Sequence, residues 1–367
     1  MLEWKKLGEV ISVHTGSQLN RNDMLEQGVY PVINGGRTPS GYTNEPNEKS
    51  NSITISQGGE SAGFVNWMDC DFWAGAHCYV VECLDDTIKR YVFHFLKNSE
   101  YELMSSKQGA GIPGLNRKNL YKLVIPVPSI TEQTRIVGIL DTFTASIENL
   151  KQQIAQRRKQ YEHYRDQLLD LEGKEGVEMK TLGEVCDKTG NIKWKNETDD
   201  ACYRYIDLSS VSIESHIIGS ASIIKKSNAP SRAQQVVKEG DVLLGTTRPT
   251  LKRFCLVTQE FDNQICSTGF CVFRANRVEV NEKWIYHNIG CNRFWNYCEL
   301  KQQGAGYPCL SNTDAFLYYI PVPSLPEQQR IVSILDTFEA SIANLEQQLA
   351  QREKQYEYYR NKLLKFD

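Results

Sequence analysis

None of the 11 cysteines of this 367-residue chain forms a C-x-x-C pair. Cys78 and Cys83, Cys266 and Cys271, and Cys291 and Cys298 are spaced too widely for a zinc knuckle. The odd count fits reduced, mostly buried thiols rather than a disulfide framework. No window approaches 18 apolar residues, so no membrane span is expected. Met1 is followed by Leu-Glu-Trp-Lys-Lys-Leu-Gly-Glu rather than by an apolar leader, and the expected location is cytoplasmic. Charge of one sign is lacking too. With 42 Lys+Arg against 45 Asp+Glu the net charge is −3, which excludes a uniformly basic coat but allows a local basic groove.

Catalytic signatures are equally scarce. No G-x-x-x-x-G-K-[ST] phosphate loop is present, because Gly173-Lys174 lacks both the upstream glycine and the following hydroxyl. No G-x-G-x-x-G opens a helix, and no Asn/Asp-Pro-Pro-aromatic adenine pocket or G-x-S-x-G elbow occurs. The six histidines (14, 77, 94, 163, 216, 287) form no H-x-E or H-E-x-x-H pattern, so no metal site is expected. These absences favour a binding protein over an enzyme, with no cofactor of its own.

The chain does repeat itself. Ile125 to Leu171 begins IPVPSITEQTRIVGILDTF and Ile320 to Phe366 begins IPVPSLPEQQRIVSILDTF, with 33 of 47 positions identical at an offset of 195. Leu7-Gly8-Glu9-Val10 recurs as Leu182-Gly183-Glu184-Val185, and Gln108-Gly109-Ala110-Gly111 as Gln303-Gly304-Ala305-Gly306. The order is therefore variable segment, helix, variable segment, helix. The expected boundaries are 1–130, 131–172, 173–325 and 326–367. The second variable segment is about 20 residues longer, and the extra length falls between the LGEV and QGAG echoes.

A heptad runs through each repeat. Its positions are Ile136, Leu140, Phe143, Ile147, Leu150, Ile154, Arg157, Tyr161, Tyr164, Leu168 and Leu171, then Ile331, Leu335, Phe338, Ile342, Leu345, Leu349, Arg352, Tyr356, Tyr359, Leu363 and Phe366. Prolines 126, 128, 321, 323 and 326 prevent an earlier helix start, and Thr131 and Pro326 suit the openings. One apolar stripe is unstable alone in water, and two on one chain supply each other. Domains with neighbouring termini make the pair antiparallel and the chain pseudo-two-fold. Arg157 and Arg352 interrupt both stripes at one level, either as a register-fixing polar layer or as snorkelling side chains.

The variable segments read as mixed α/β. Ile53-Thr-Ile-Ser, Cys78-Tyr-Val-Val, Asp241-Val-Leu-Leu and Phe270-Cys-Val-Phe are short strand-like runs between turn residues. Basic residues concentrate locally. Lys225 to Arg253 holds seven cations (Lys225, Lys226, Arg232, Lys238, Arg248, Lys252, Arg253) against two acids. Lys107, Arg117, Lys118 and Lys122 flank the first QGAG. Candidate nucleic-acid contacts are Arg37, Lys107, Gln108, Arg117, Lys118, Lys225, Lys226, Arg248, Lys252, Arg253, Lys301 and Gln302, an inventory suited to phosphates and base edges.

Two unlike segments alternating with two matched helices, each introduced by Ile-Pro-Val-Pro-Ser-(x2)-Glu-Gln-x-Arg-Ile-Val, resemble the specificity (S) subunits of type I restriction–modification systems. The carriers are Glu132-Gln133 with Arg135-Ile136-Val137, and Glu327-Gln328 with Arg330-Ile331-Val332. The stretches Gly109 to Leu115 and Gly304 to Leu310 are similar to that family too. The first copy departs in having Thr131 and Thr134 where the second has Pro326 and Gln329. The resemblance implies two target-recognition domains, each reading half of an asymmetric bipartite target in the major groove of double-stranded DNA. It implies a coiled coil that spaces the domains and docks two modification (M) subunits, joined by two restriction (R) subunits. S-adenosylmethionine, ATP and Mg would be held by those partners, and adenine methylation and cleavage would be theirs. The competing expectation is a non-catalytic coiled-coil adaptor holding two protein-binding domains.

Overall fold

The structure, a computed structural model, describes residues 2–106 and 114–366. The chain divides into two units, residues 1–152 with 346–367, and residues 153–345. Both divisions fall inside a long helix.

In the first unit the order is β1 (Glu3–Lys6), α1 (Leu7–Val10), β2 (Ile11–Thr15), β3 (Tyr30–Ile33), β4 (Gly41–Thr43), β5 (Ser52–Ser56), β6 (Val65–Met68), β7 (Trp73–Ala74), β8 (Cys78–Cys83), α2 (Lys89–Asn98), α3 (Glu100–Ser105), α4 (Arg117–Lys122), β9 (Val124–Val127) and the start of α5 (Ile130–Leu168). Strands β2-β8-β5-β6 form an antiparallel sheet, β4-β3-β7 a smaller mixed one, and β1 pairs with β9. The β-branched run of β5 is buried along its whole length, as a central strand requires.

The second unit follows with β10 (Glu178–Thr181), α6 (Leu182–Val185), β11 (Cys186–Asp187), β12 (Cys202–Ile206), β13 (Ser222–Lys225), β14 (Ala233–Val236), β15 (Val242–Gly245), β16 (Phe254–Leu256), β17 (Ile265–Ser267), β18 (Phe270–Ala275), α7 (Glu282–Gly290), α8 (Asn292–Lys301), α9 (Asn312–Phe316), β19 (Tyr319–Val322) and α10 (Leu325–Leu364). Its sheets are β11-β18-β15-β16 and β13-β12-β17-β14, with β10 on β19. Element for element this is the first topology, although the sequences diverge. β14 is an extra edge strand within the longer stretch that separates the second LGEV from the second QGAG.

The lead-in residues are structural clips. Gln133 is 1% exposed and Gln328 is 0% exposed. Gln133 Oε1 accepts from Ile88 N at 2.9 Å and its Nε2 donates to Pro128 O at 2.9 Å. Gln328 does the same with Asn281 N and Pro323 O, and also reaches Glu279 O. Tyr91 Oη donates to Pro126 O at 2.7 Å, and in the second unit Trp284 Nε1 donates to Pro321 O at 2.8 Å. Each domain thus holds the start of its following helix through buried hydrogen bonds. Helix α5 begins at Ile130, before the expected Thr131, with Ser129 Oγ accepting from Glu132 N at 3.4 Å.

Within each unit the two helices run antiparallel. In the first, Phe143 stacks on Tyr359 (5.3 Å) beneath the Arg352 guanidinium (5.7 Å), and Lys151 pairs with Glu353. In the second, Tyr164 stacks on Phe338 (5.5 Å) with Arg157 over the same ring (6.0 Å). The two arginines are half-buried cation–π partners. The stripe slips at its ends. Tyr164 is 45% exposed and Tyr359 is 40% exposed, while Arg165, Leu169 and Leu364 are buried. A straight helix drifts by about 20° per heptad, and the helix ends leave their partner for the domain cores. Leu169 and Leu171 join the second core, and Leu364 the first. Leu171 and Phe366 lie beyond the helices.

Candidate nucleic-acid interface

The shared topology places one loop at the same place in both domains. The eight residues between β5 and β6 are QGGESAGF (57–64), and those between β15 and β16 are TTRPTLKR (246–253). Corresponding hydrogen bonds fix both. Gln57 N donates to His77 O and Thr246 N to Gly269 O, while Leu115 N donates to Gln57 O and Leu310 N to Thr246 O. The bridges Gly58–Gly114 and Thr247–Cys309 stitch each loop to the segment that ends the QGAG stretch. The corresponding loop of each domain is thus pinned to a residue that follows its QGAG stretch, Gly114 in one and Cys309 in the other.

The backbones agree where the side chains do not. Gly59 and Gly63 have φ of 77° and 93°, and at the matching positions Arg248 and Lys252 have φ of 49° and 52°. Glycine is the ordinary occupant of this left-handed region, and a longer side chain there is strained. A Cβ at Gly63 would meet the Leu103 backbone at 2.7 Å, so the first domain has no room for the lysine. The second domain keeps two cations in strained backbone, a pattern found at functional positions.

Around that loop, the Arg248 guanidinium lies 4.4 Å over the ring of Tyr307, which is exposed. Arg248 N also donates to Pro308 O at 2.7 Å. Lys301 ends α8 and is exposed, while Gln302 beside it is half-buried. The candidates Arg248, Lys252, Lys301 and Gln302 thus belong to one loop-and-helix-end region. Arg253, half-buried at the end of the same loop, donates from Nη1 to Val211 O at 3.1 Å. Lys225 and Lys226 stand at the end of edge strand β13, in the other sheet, with Lys226 Nζ held by Glu197 O at 3.1 Å.

In the first domain Arg117 is exposed over the Tyr79 ring (5.6 Å), at the first turn of α4, and Lys118 is exposed beside it. Arg37 lies 5.6 Å from the Phe64 ring, with Lys97 at 4.5 Å from that ring. Lys97 is committed to Glu100 at 2.6 Å, and burial holds its pKa below the usual lysine range. Lys107 and Gln108 lie outside the described residues. Sequence reasoning passed over Tyr307. The signal was present in Gly304-Ala305-Gly306-Tyr307, where the first copy has isoleucine after the same glycines.

The buried cysteines fit the expectation of inert thiols. Burial pushes Cys78, Cys255 and Cys291 up to about 12. Among the described residues, no helix is long and apolar enough to cross a membrane.

The family model described as the type I restriction modification DNA specificity domain matches residues 1–157 and again 174–354. The chain is 30% identical to the specificity subunit of the type I restriction enzyme EcoR124I/EcoR124II of Escherichia coli, covering 100% of this chain and 94% of that protein. It is 28% identical to a putative type I restriction enzyme specificity subunit of Haemophilus influenzae, covering 100% and 96%. A crystal structure of a type I restriction-modification S subunit from M. genitalium superposes with a TM-score of 0.66 at 19% identity, covering 100% of this chain and 97% of that one.

Proposed function

The chain belongs to the type I restriction modification DNA specificity family, and from that membership we propose how it recognises DNA. It is the recognition subunit of a type I restriction–modification system, working with DNA and with that system's other subunits. The finer reading is that segments 1–130 and 173–325 are two target-recognition domains, each entering the major groove at one half of a bipartite target. The helices 131–172 and 326–367 set the gap between the half-sites.

One observation carries this reading. Two domains of one topology present the same loop with unlike chemistry, QGGESAGF against TTRPTLKR. Identical scaffolds with different reading surfaces suit two different half-sites. Arg248, Lys252 and Arg253, with Lys301 and Gln302, are the proposed contacts of the second domain. Arg37, Arg117 and Lys118, with Lys107 and Gln108, are those of the first, and Lys225 and Lys226 are secondary phosphate contacts.

The lead-ins are the proposed docking points for two M subunits, to which two R subunits add. Each carries an exposed ion pair, Glu132–Arg135 and Glu327–Arg330. Exposed apolar residues recur near them, Trp4, Val124 and Ile130 in one unit and Leu317, Tyr319 and Leu325 in the other. Packing alone does not require that duplication.

The deciding experiment is methylome sequencing of a host carrying the M subunit with or without this chain. The expected result is a chain-dependent, non-palindromic, two-part motif. Exchanging residues 57–64 for 246–253 should alter one half of it. A palindromic motif, or one unchanged by the exchange, refutes the reading.

A further inference from the structure

Away from the loops, each unit buries a polar chain where a domain helix meets the long helices. In the first, Arg90 Nε donates to Asp141 Oδ1 at 2.7 Å, His94 Nε2 lies 2.8 Å from the same oxygen, and His94 Nδ1 is 3.2 Å from Tyr356 Oη. The second repeats it with different spacing. Lys283 Nζ donates to Asp336 Oδ2 at 2.7 Å, and His287 Nδ1 is 3.1 Å from Tyr161 Oη. One residue breaks the correspondence. Glu339 stands where the first repeat has Thr144, three residues beyond the aspartate and on the same helix face.

That carboxylate dictates where the protons go. Tyr161 Oη donates to Glu339 Oε1 at 2.8 Å. A phenol has one proton, so toward His287 its oxygen can only accept, and Nδ1 must carry the imidazole hydrogen. Nε2 is then the ring nitrogen left free to take a ligand. It faces Asp336 Oδ1 at 3.6 Å, beyond hydrogen-bond range. Both atoms are buried without a hydrogen-bond partner among the described residues, and His287 is 1% exposed. A ring nitrogen and a carboxylate oxygen thus face each other across a gap that no hydrogen bond closes. In the first unit threonine leaves the tyrosine proton unclaimed, and His94 closes on Asp141.

We propose that His287, Asp336 and Glu339 bind a first-row divalent metal ion of the zinc type. Their ligand atoms lie within 4.8 Å of one another. The 3.6 Å between Nε2 and Oδ1 is close to the ~3.4 Å edge spanned by two ligands about 2.0–2.1 Å from a tetrahedral zinc. Glu339 has to swing inward by roughly an ångström to complete the set. Tyr161 orients the imidazole through Nδ1, as outer partners of metal-bound histidines do. One imidazole and two carboxylates favour zinc, manganese or iron over calcium or magnesium. The ion ties α7 to α10 and so fastens the second recognition domain to its own helix. The first unit, with Thr144, lacks this third ligand.

The test uses the full chain, stripped with a chelator, incubated with a slight excess of zinc, desalted and assayed for bound metal by mass spectrometry. One zinc per chain is expected, lost in both His287→Gln and Glu339→Thr. Added zinc should raise the melting temperature of the parent chain but not of the variants. Glu339→Thr installs the residue the first unit uses, so it decides the question even if His287→Gln fails to fold. Absence of retained zinc in the parent chain overturns the proposal, because the opposed pair is then closed by a proton. Equal zinc in the parent and Glu339→Thr also overturns it, because cysteines are then the ligands.

Discussion

Replacing Lys252 by glycine should strengthen the fold and weaken DNA binding at once. Lys252 has φ of 52°, where the first domain has Gly63 at 93°. An L-residue in this region costs about 1–2 kcal/mol, and glycine returns about 0.5–1 kcal/mol of that through its freer unfolded chain. The expected net gain is about 0.5–1 kcal/mol, or a rise of roughly 2 °C in the melting of a unit this size. Lys252 is exposed, and no hydrogen bond or ion pair of its side chain opposes the gain among the described residues. If its ammonium contacts a phosphate, Lys252→Gly weakens binding to every sequence, and the slope of log affinity against log salt falls by about 0.9. Arg248→Gly should differ in stability. It also loses the stack over Tyr307, worth about 0.5–1 kcal/mol at an exposed site, so its stability stays nearly unchanged. The assays are differential scanning fluorimetry on the chain and fluorescence anisotropy on the complex with M subunits over a salt series. A destabilised Lys252→Gly, or unchanged affinity and slope, refutes the argument that strain is retained there for DNA.

Gln328→Leu strands Asn281 N–H and the carbonyls of Glu279 and Pro323; chemical denaturation should show a loss of about 3 kcal/mol or more, against less than about 1 kcal/mol for Glu327→Ala in the exposed neighbouring pair. Burial, followed by the charges of Arg165 and Arg158, lowers the His216 pKa to about 4. The unfolded chain then takes up a proton before the folded one as pH falls. This stability is therefore full above about pH 6.5 and is lost toward pH 4, by up to roughly 3 kcal/mol. His216→Asn, which tolerates the residue's positive φ, should flatten melting temperature against pH over that window. Inserting seven residues after both Leu150 and Leu345 keeps the stripe in phase and lengthens each helix by about 10 Å, near three base pairs of DNA. The methylated half-sites should persist with a wider gap, and robust methylation at the old gap refutes the spacing role.

The helices and strands β5, β8 and β18 were legible because periodicity and β-branched runs report burial directly. The equivalence of the two domains was hidden. Its markers are backbone angles and exchanged side chains, with Arg248 matching Gly59 and Trp284 matching Tyr91, and residue identity is silent on both. Glu132-Gln133 was legible as a signature but its role was not, since the buried clip appears only when Ile88 N meets the amide. The candidate cations were found by counting charge, which cannot show that Arg248 lies over Tyr307 while Arg253 reaches Val211 O. His94 and His287 looked scattered because their partners lie 47 and 49 residues onward in the chain. The heptad overran because a seven-residue repeat cannot signal where a helix leaves its partner for a domain core.

The first unit closes only with residues 346–367, and this has a consequence for birth on the ribosome. Leu364 sits in the core that contains Leu7, Val10 and Ile125. Tyr356 and Arg360 reach back 262 residues to His94 and Asn98. At 5–20 residues per second, synthesis of the intervening chain takes roughly 13–50 s. During that time the emerged N-terminal domain carries an unpaired apolar stripe that chaperones can hold and that another nascent chain can capture. The second unit has all its residues by position 345 and can finish first. A premature stop in the last turns of α10 therefore injures the N-terminal domain, the part of the protein made earliest and farthest away in sequence.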